Sequence, residues 1–368
     1  MPHDLQGLRN GRHRTPGFLR KTGAMRKWGL AALPALVSLG IVIALLAQAN
    51  PAGATQRAER RQIPVARTHS CLGRIGHGSA TTIDLQASIE NSLIAPVCID
   101  GRGPFHLLID TGASATAIDS KIAGRLHLAS VGPSRQFFGI GRPLSGRPVR
   151  IGAWSVGPVP LTPQVVYELN LSLGPHIDGL LGSDVLSRFG AIRLDYDQGQ
   201  LIVDGPEGPS RRMQVIEGRP GSPLPSVFAR YQPQAVLPIT VADFDGAAVA
   251  IASVTVGSST MQLEIDSGSN TSAVATSKTA GLGLAPVPGK VRVEGIGGAV
   301  KATLERVSSW SLGTVRLVPE DLISVRLPSN SGGPGVDGLL GADVLSQFRA
   351  VTIDYSDGTI GVDQIPLV

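Results

Sequence analysis

The chain has little of what much enzyme chemistry relies on. Among its 368 residues are two cysteines, seven histidines and three tryptophans, and aromatic residues make up 4% of it. The histidines show no metal-ligand spacing and no His-Glu-x-x-His occurs, so neither a metal nor another cofactor is expected. There is no Walker loop and no nucleophile elbow, which argues against nucleotide hydrolysis and serine-esterase chemistry. Gly73-Arg74-Ile75-Gly76-His77-Gly78 is glycine-rich, but it precedes the first strand signals and is not read as a phosphate cradle.

A positive surface for nucleic acid is missing too. The formal net charge is +5, yet the first 54 residues hold seven Lys/Arg against one acid, and the remainder 26 against 27. The basic pI therefore reports the N-terminal region, and no nucleic-acid partner is expected. That region divides into a basic stretch, 1–27, with Arg20, Lys21, Arg26 and Lys27, and an apolar stretch, 28–49. Ala47-Gln48-Ala49 and Ala52-Gly53-Ala54 follow as cleavage-type sites. The pattern reads as a signal peptide, or as an anchor helix if it is not cleaved, since its length is near that of a bilayer span. Counted from Met25 instead of Met1, the basic region has the ordinary length for a signal. Either way the rest of the chain is expected outside the cytoplasm, secreted or membrane-anchored. In that compartment Cys71 and Cys98 form a disulfide or stay as two thiols; spacing alone does not decide.

What is abundant is glycine, 46 residues, and proline, 27. They punctuate short apolar runs, which suits an all-β chain of many short strands and tight turns. Residues 50–80 lack a hydrophobic period and read as a linker or short pro-segment. Strand patterns fill 81–204 and 235–368, and the Pro/Gly/Arg-rich stretch 205–234 reads as a linker between two lobes.

The two lobes repeat each other. A shift of 156 residues lays Asp110-Thr111-Gly112 on Asp266-Ser267-Gly268, each at the end of an apolar run. The same shift lays Gly139-Ile140-Gly141 on Gly295-Ile296-Gly297, and Trp154 on Trp310. With three more residues of offset, Ile177–Phe189 matches Val336–Phe348, including Leu180-Leu181-Gly182 on Leu339-Leu340-Gly341. A period this long indicates a duplicated domain and not a solenoid. Several smaller repeats have ordinary readings. Asp195, Asp197, Asp354 and Asp357 suit turns; Asp178 and Asp337 suit bonds to local backbone; Asp184 and Asp343 suit caps on short helices. Trp154 and Trp310 suit core packing.

Taken as a set, hydrophobic-hydrophobic-Asp-[Thr/Ser]-Gly, a Gly-Ile-Gly hairpin tip and Leu-Leu-Gly before a short helix resemble the aspartic proteases. The likeness is to the retropepsin-like branch, here as two fused copies. The resemblance implies a bilobed all-β fold, two barrel-like lobes about a pseudo-two-fold axis, with short helices only besides the N-terminal apolar segment. It implies that Asp110 and Asp266 form a catalytic pair and that Thr111 and Ser267 bond across to the opposite lobe. Gly112 and Gly268 would let backbone pass close to the acids. Gly139, Ile140, Gly141, Gly295, Ile296 and Gly297 would form two flaps over a bound peptide.

Two carboxylates about 3 Å apart cannot both ionise, so one proton is shared, and one member serves as base while the other stays an acid. The expected function is an exported or membrane-anchored endopeptidase acting as a monomer on peptide or protein substrates. A catalytically silent peptide-binding module on the same scaffold is the alternative. A zymogen with 55–80 over the cleft is a third reading. Ser114, where retropepsins carry an acid, and Ala113 against Ser269 depart from the family pattern and set the two half-sites apart.

Overall fold

The structure, a computed structural model, describes residues 37–38, 42–43 and 80–363, apart from 88–90, 172, 175, 206–207, 209–214, 245–246 and 328–334. Aliphatic and β-branched runs build its strands, since such side chains pack well on a pleated, half-buried surface. The hairpin Leu93–Ile99/Arg102–Ile109 opens lobe 1, turning at Asp100-Gly101, both at positive φ. Its lobe-2 counterpart is Ala247–Val256/Ser259–Ile265. In each lobe the second strand of this hairpin pairs in parallel with a short strand from the Leu-Leu-Gly segment. Leu107–Ile109 lie beside Gly179–Leu181, and Leu263–Ile265 beside Gly338–Leu340. On their other side these short strands meet Ala117–Asp119 and Ala273–Ala275 antiparallel. The acid-bearing strand ends are thus wedged mid-sheet, where the backbone has no freedom to wander.

Alternation along these strands divides the lobes into layers. Leu107, Ile109, Leu263 and Ile265 face the main core, which the two lobes share. Leu108 faces the other way, into a smaller apolar layer with Phe137, Leu169 and Leu180. Lobe 2 has a matching layer of Ala273, Val293, Ile323 and Leu339.

A sheet of six described strands joins the lobes, in the order Ala235–Pro238, Thr359–Val362, Ala350–Asp354, Ala191–Asp195, Gln200–Val203 and Thr81–Asp84. Its central pair is antiparallel, with Arg193 opposite Thr352. Arg193 is buried and grips Asp363 with both guanidinium nitrogens, at 2.9 and 2.6 Å, while its planar head lies 4.2 Å from the Tyr231 ring. A buried guanidinium needs such a fork to offset its lost hydration. Within 205–234, Ser226–Ala229 is a helical turn whose Val227 and Phe228 pack beneath this sheet.

Helices are brief. Ser120–Leu126 begins at Asp119, whose carboxylate accepts the Lys121 N–H, and closes at His127 in the left-handed conformation. The caps expected at Asp184 and Asp343 are not there: Gly182 and Gly341 are the N-caps, with no side-chain bond. The two carboxylates turn sideways to stronger donors in the loop after each acid. Asp184 accepts from the Thr116 hydroxyl at 2.6 Å, and Asp343 from the Ser272 hydroxyl and N–H at 2.7 Å, while Asp343 keeps one N–H of its own helix's first turn, that of Val344 at 2.9 Å. Asp178 and Asp337 likewise reach past local backbone, accepting the N–H of His106 and Gln262 on the acid-bearing strands. The turn readings hold: Asp195 and Asp354 each accept two N–H groups of the turn that follows. Trp154 and Trp310 are buried, and their indoles donate to Thr162 O and Val318 O.

The basic region, the apolar segment with its signal or anchor helix, both start sites and the 50–80 linker fall outside the described residues, apart from 37–38, 42–43 and 80. Val37–Ser38 pairs in parallel with Phe137–Phe138, and Val42–Ile43 antiparallel with Glu294–Gly295. No described helix is long and apolar enough to cross a membrane. Cys98 is disulfide-bonded, and Cys71, the only other cysteine in the chain, lies outside the described residues.

Candidate active site

Asp110 and Asp266 sit at equivalent strand ends, fully buried, each held by the Leu-Leu-Gly strand beside it. Asp110 N donates to Leu181 O, and Asp266 N to Leu340 O, both at 3.0 Å. The loop after each acid turns back on its carboxylate. Oδ1 of Asp110 accepts from Gly112 N at 3.1 Å and Ala113 N at 2.8 Å. Oδ1 of Asp266 accepts from Gly268 N and Ser269 N, both at 3.0 Å. A carboxylate fixed by two amides keeps one oxygen occupied and presents the other. That other oxygen, Oδ2 in both residues, meets no donor among the described residues.

The lobes lock together beneath the acids. Thr111 Oγ1 donates to Ile265 O at 2.7 Å and accepts from Ser267 N at 3.0 Å. Ser267 Oγ donates to Ile109 O at 2.8 Å and accepts from Thr111 N at 3.2 Å. Each hydroxyl therefore spends its proton and a lone pair on the backbone of the opposite lobe. Either hydroxyl amino acid has the atoms for this, so the Thr/Ser difference leaves the lock unchanged.

Close approach of the acids requires glycine at 112 and 268. A Cβ on Gly112 would lie 2.6 Å from Asp266 Cγ, and one on Gly268 would lie 2.4 Å from Asp110 Cγ. Each glycine thus lies against the carboxyl of the opposite lobe. The two acids face each other closely enough to share a hydrogen bond, and burial with mutual repulsion raises Asp110 well above the usual carboxylate range. Burial raises Asp266 as well, against the pull of its own loop amides. Two buried carboxyls this close do not both ionise, so one proton is shared and its titration belongs to the pair.

The two hairpin tips meet and exchange partners. Arg142 N donates to Gly297 O at 3.0 Å, and Gly297 N to Ile140 O at 3.1 Å. A Cβ on Gly297 would meet Arg142 O at 2.0 Å, so glycine lets the tips touch. Ile140 from lobe 1 packs into the apolar layer of lobe 2, and Ile296 from lobe 2 into that of lobe 1.

This arrangement is matched by the family model for aspartyl proteases, over residues 95–185 and 252–344. Those two segments together make up half of the chain, one per lobe, and the chain belongs to that family. No curated protein matches it in sequence.

The structure brings Asp110 and Asp266 together with their Thr/Ser-Gly neighbours, and joins the two Gly-Ile-Gly tips to each other. Three groups at the same centre were not singled out. Glu264 is wholly buried two residues before Asp266, with neither carboxyl oxygen bonded among the described residues, and burial beside Asp266 raises it well above its usual range. Tyr196 and Tyr355 are buried with unbonded hydroxyls; burial raises both phenols, with further contributions from Asp266 and Asp110 respectively. The repeat carried a signal for each. The tyrosines recur after Asp195 and Asp354, and Glu264 breaks an otherwise apolar match to Leu108.

Proposed function

We propose that this chain is an aspartic endopeptidase, hydrolysing peptide bonds with water activated between Asp110 and Asp266. The observation that carries the reading is a pair of fully buried carboxyls, one per lobe, each with Oδ1 held by its own loop amides, Oδ2 left without a donor, and the opposite lobe's loop glycine against it. The ionised member takes a proton from water as its oxygen attacks the scissile carbonyl carbon. The protonated member gives its proton to the carbonyl oxygen. Collapse of the resulting diol returns that proton to a carboxylate as the amide C–N bond breaks and the leaving nitrogen is protonated. Amides on Oδ1 of each acid keep both carboxyls in place through the exchange, so little reorganisation is needed.

The flaps would add backbone hydrogen bonds to an extended peptide and exclude bulk water over the cut. Because both half-sites lie in one chain, we read the working form as a monomer. An exported location is part of the same proposal. The disulfide at Cys98 supports it, since such bonds persist in oxidising compartments, and Cys71 is the partner we assign.

The test is product analysis of a peptide library incubated with the purified chain from pH 3 to 8. Cleavage by the wild type, lost in both Asp110→Asn and Asp266→Asn, is the expected result. Peptide binding without products would leave only the silent binding module.

A further inference from the structure

Lobe 1 and lobe 2 place different chemistry on matching walls of the cleft. Leu108 and Glu264 hold the same position, two residues before each acid. Alternation sends Leu263 and Ile265 to the main core, so Glu264 and Asp266 share the opposite face. Register confirms the side. Glu264 lies beside Leu339 on the parallel neighbour strand, and Leu339 belongs to the layer that receives the flap tip Ile140. Its other strand neighbour is Ile251. The mirror position, Leu108 beside Leu180 and Ile94, is apolar throughout and receives Ile296.

Two residues along a strand span about 7 Å, so Glu264 stands one side-chain pocket away from Asp266. Its carboxyl is shut away from solvent with both oxygens unbonded, among aliphatic side chains. Burying a polar group without partners is costly, and the fold alone gains nothing from it there, because leucine fills the twin position.

We propose that Glu264 is a specificity-determining residue, the floor of a subsite that takes a substrate side chain carrying N–H donors: lysine, arginine or glutamine. This inference rests on the peptidase reading and deepens it. The donor would enter beside Ile140, on one side of the scissile bond only, while the Leu108 wall takes an apolar side chain on the other. A neutral carboxyl bonds a glutamine amide by donating to its oxygen and accepting from its nitrogen. A lysine or arginine cation bonds it instead as carboxylate. A site built around a buried polar group discriminates strongly against an isostere that leaves it unpaired.

The experiment uses the full chain and a set of extended peptides that vary one residue on either side of a common cut. Wild type is compared with Glu264→Leu, which copies lobe 1, and with Glu264→Gln. Wild type is expected to prefer lysine, arginine or glutamine over leucine at one flanking position by about tenfold or more in kcat/KM. Glu264→Leu should reverse that preference at that position and leave the other flank unchanged. Glu264→Gln should keep glutamine and lose the cations. Equal preferences in wild type and Glu264→Leu overturn the proposal. If peptides bind but are not cut, the peptidase reading fails by itself, and the same preferences are read as ratios of Kd. Absence of any side-chain selection in either readout also overturns it.

Discussion

The two lobes share a backbone and differ in their walls. Corresponding hydrogen bonds that hold the acids agree closely: Asp110 and Asp266 each donate to a Leu-Leu-Gly carbonyl at 3.0 Å. The cross-lobe hydroxyl bonds are 2.7 and 2.8 Å. Around this symmetric centre the side chains diverge: Leu108 against Glu264, Ala113 against Ser269, Ser114 against Asn270. The flap arms diverge as well, four and eight residues in lobe 1 against eleven and ten in lobe 2. Holding one proton between two acids needs matched backbones. Reading a peptide, which has a direction, needs unmatched walls.

The sharpest way to break the symmetric half of that comparison is to remove one acid at a time. Asp110→Asn and Asp266→Asn are each expected to lower kcat by at least about 10²–10⁴-fold, and to the same extent, because acid–base work of this size belongs to the pair. Thermal unfolding should show both variants folded. A large residual rate in one variant alone would mean that one lobe does the chemistry. Since burial raises both acids, the shared proton should persist above the ordinary carboxylate range. Activity is then expected to extend well above pH 4 and to fall as pH rises through the pair's upper titration.

The lock below the acids comes next in size. Thr111→Ala and Ser267→Ala each strip two buried backbone groups of a partner, at about 1–3 kcal/mol per group. Urea denaturation should show losses of roughly 2–6 kcal/mol in both, and Thr111→Ser should cost under about 1 kcal/mol because the oxygen remains. If the serine variant were as damaged as the alanine ones, packing of the threonine methyl and not the hydroxyl bond would be holding the lobes.

Much of this centre was legible before any coordinates. The repeat exposed Asp110 and Asp266, both hydroxyls, both tips and the shared fold, because a duplicated chain shows twice whatever geometry demands. Symmetric function therefore reads as self-similarity. Glu264 did not read, because its meaning lies in a difference between copies, and sequence alone does not say which way a side chain faces. Asp184 and Asp343 were misread for a related reason. A carboxylate at the start of a short helix looks like a cap, yet the hydroxyls of Thr116 and Ser272, 68 and 71 residues away, also bind it, and only Asp343 keeps a first-turn amide, that of Val344. Asp178 and Asp337 show the same limit, since their donors also lie 72 and 75 residues off.

Glu264 offers a stability test that sharpens the unmatched half. Its carboxyl is raised in the folded state by burial and by Asp266, so folding favours its protonated form. That contribution is fully present below the unfolded value near 4.5 and is lost as pH rises toward the folded one. Glu264→Leu should therefore gain on wild type as pH rises, by up to about 1.4 kcal/mol per pH unit between the two values. Asp343, raised to about 6, and Glu320, raised to about 7, act in the same direction in both proteins and cancel in the difference. Removing the Glu264 charge should also lower the dyad's upper titration, since that charge helps to raise Asp110. Chemical denaturation at pH 5 and pH 8 reads the first effect; a pH–rate profile reads the second. A constant gap between the proteins would mean that the carboxyl ionises as freely in the fold as outside it.

The smallest effect lies on the outer strands, where each lobe carries a cross-strand ion pair, the lobe-2 pair three residues along from the position that the repeat assigns to the lobe-1 pair. Arg147 faces Glu168 on the strand after the lobe-1 flap, and Arg306 faces Asp321 on its lobe-2 counterpart. The arginine side chains are 47% and 45% exposed, so water and salt screen both pairs. Arg147→Ala and Arg306→Ala are each expected to cost about 0.2–1 kcal/mol, with the difference from wild type shrinking in 1 M salt. These two strands continue the flap hairpins, so the pairs also bear on how firmly each flap is rooted. Equal small losses in stability with unchanged KM would place flap strength in the tip contacts of Ile140 and Gly297. A rise in KM for one arginine variant alone would show that the flaps differ in their footing as well as in their length.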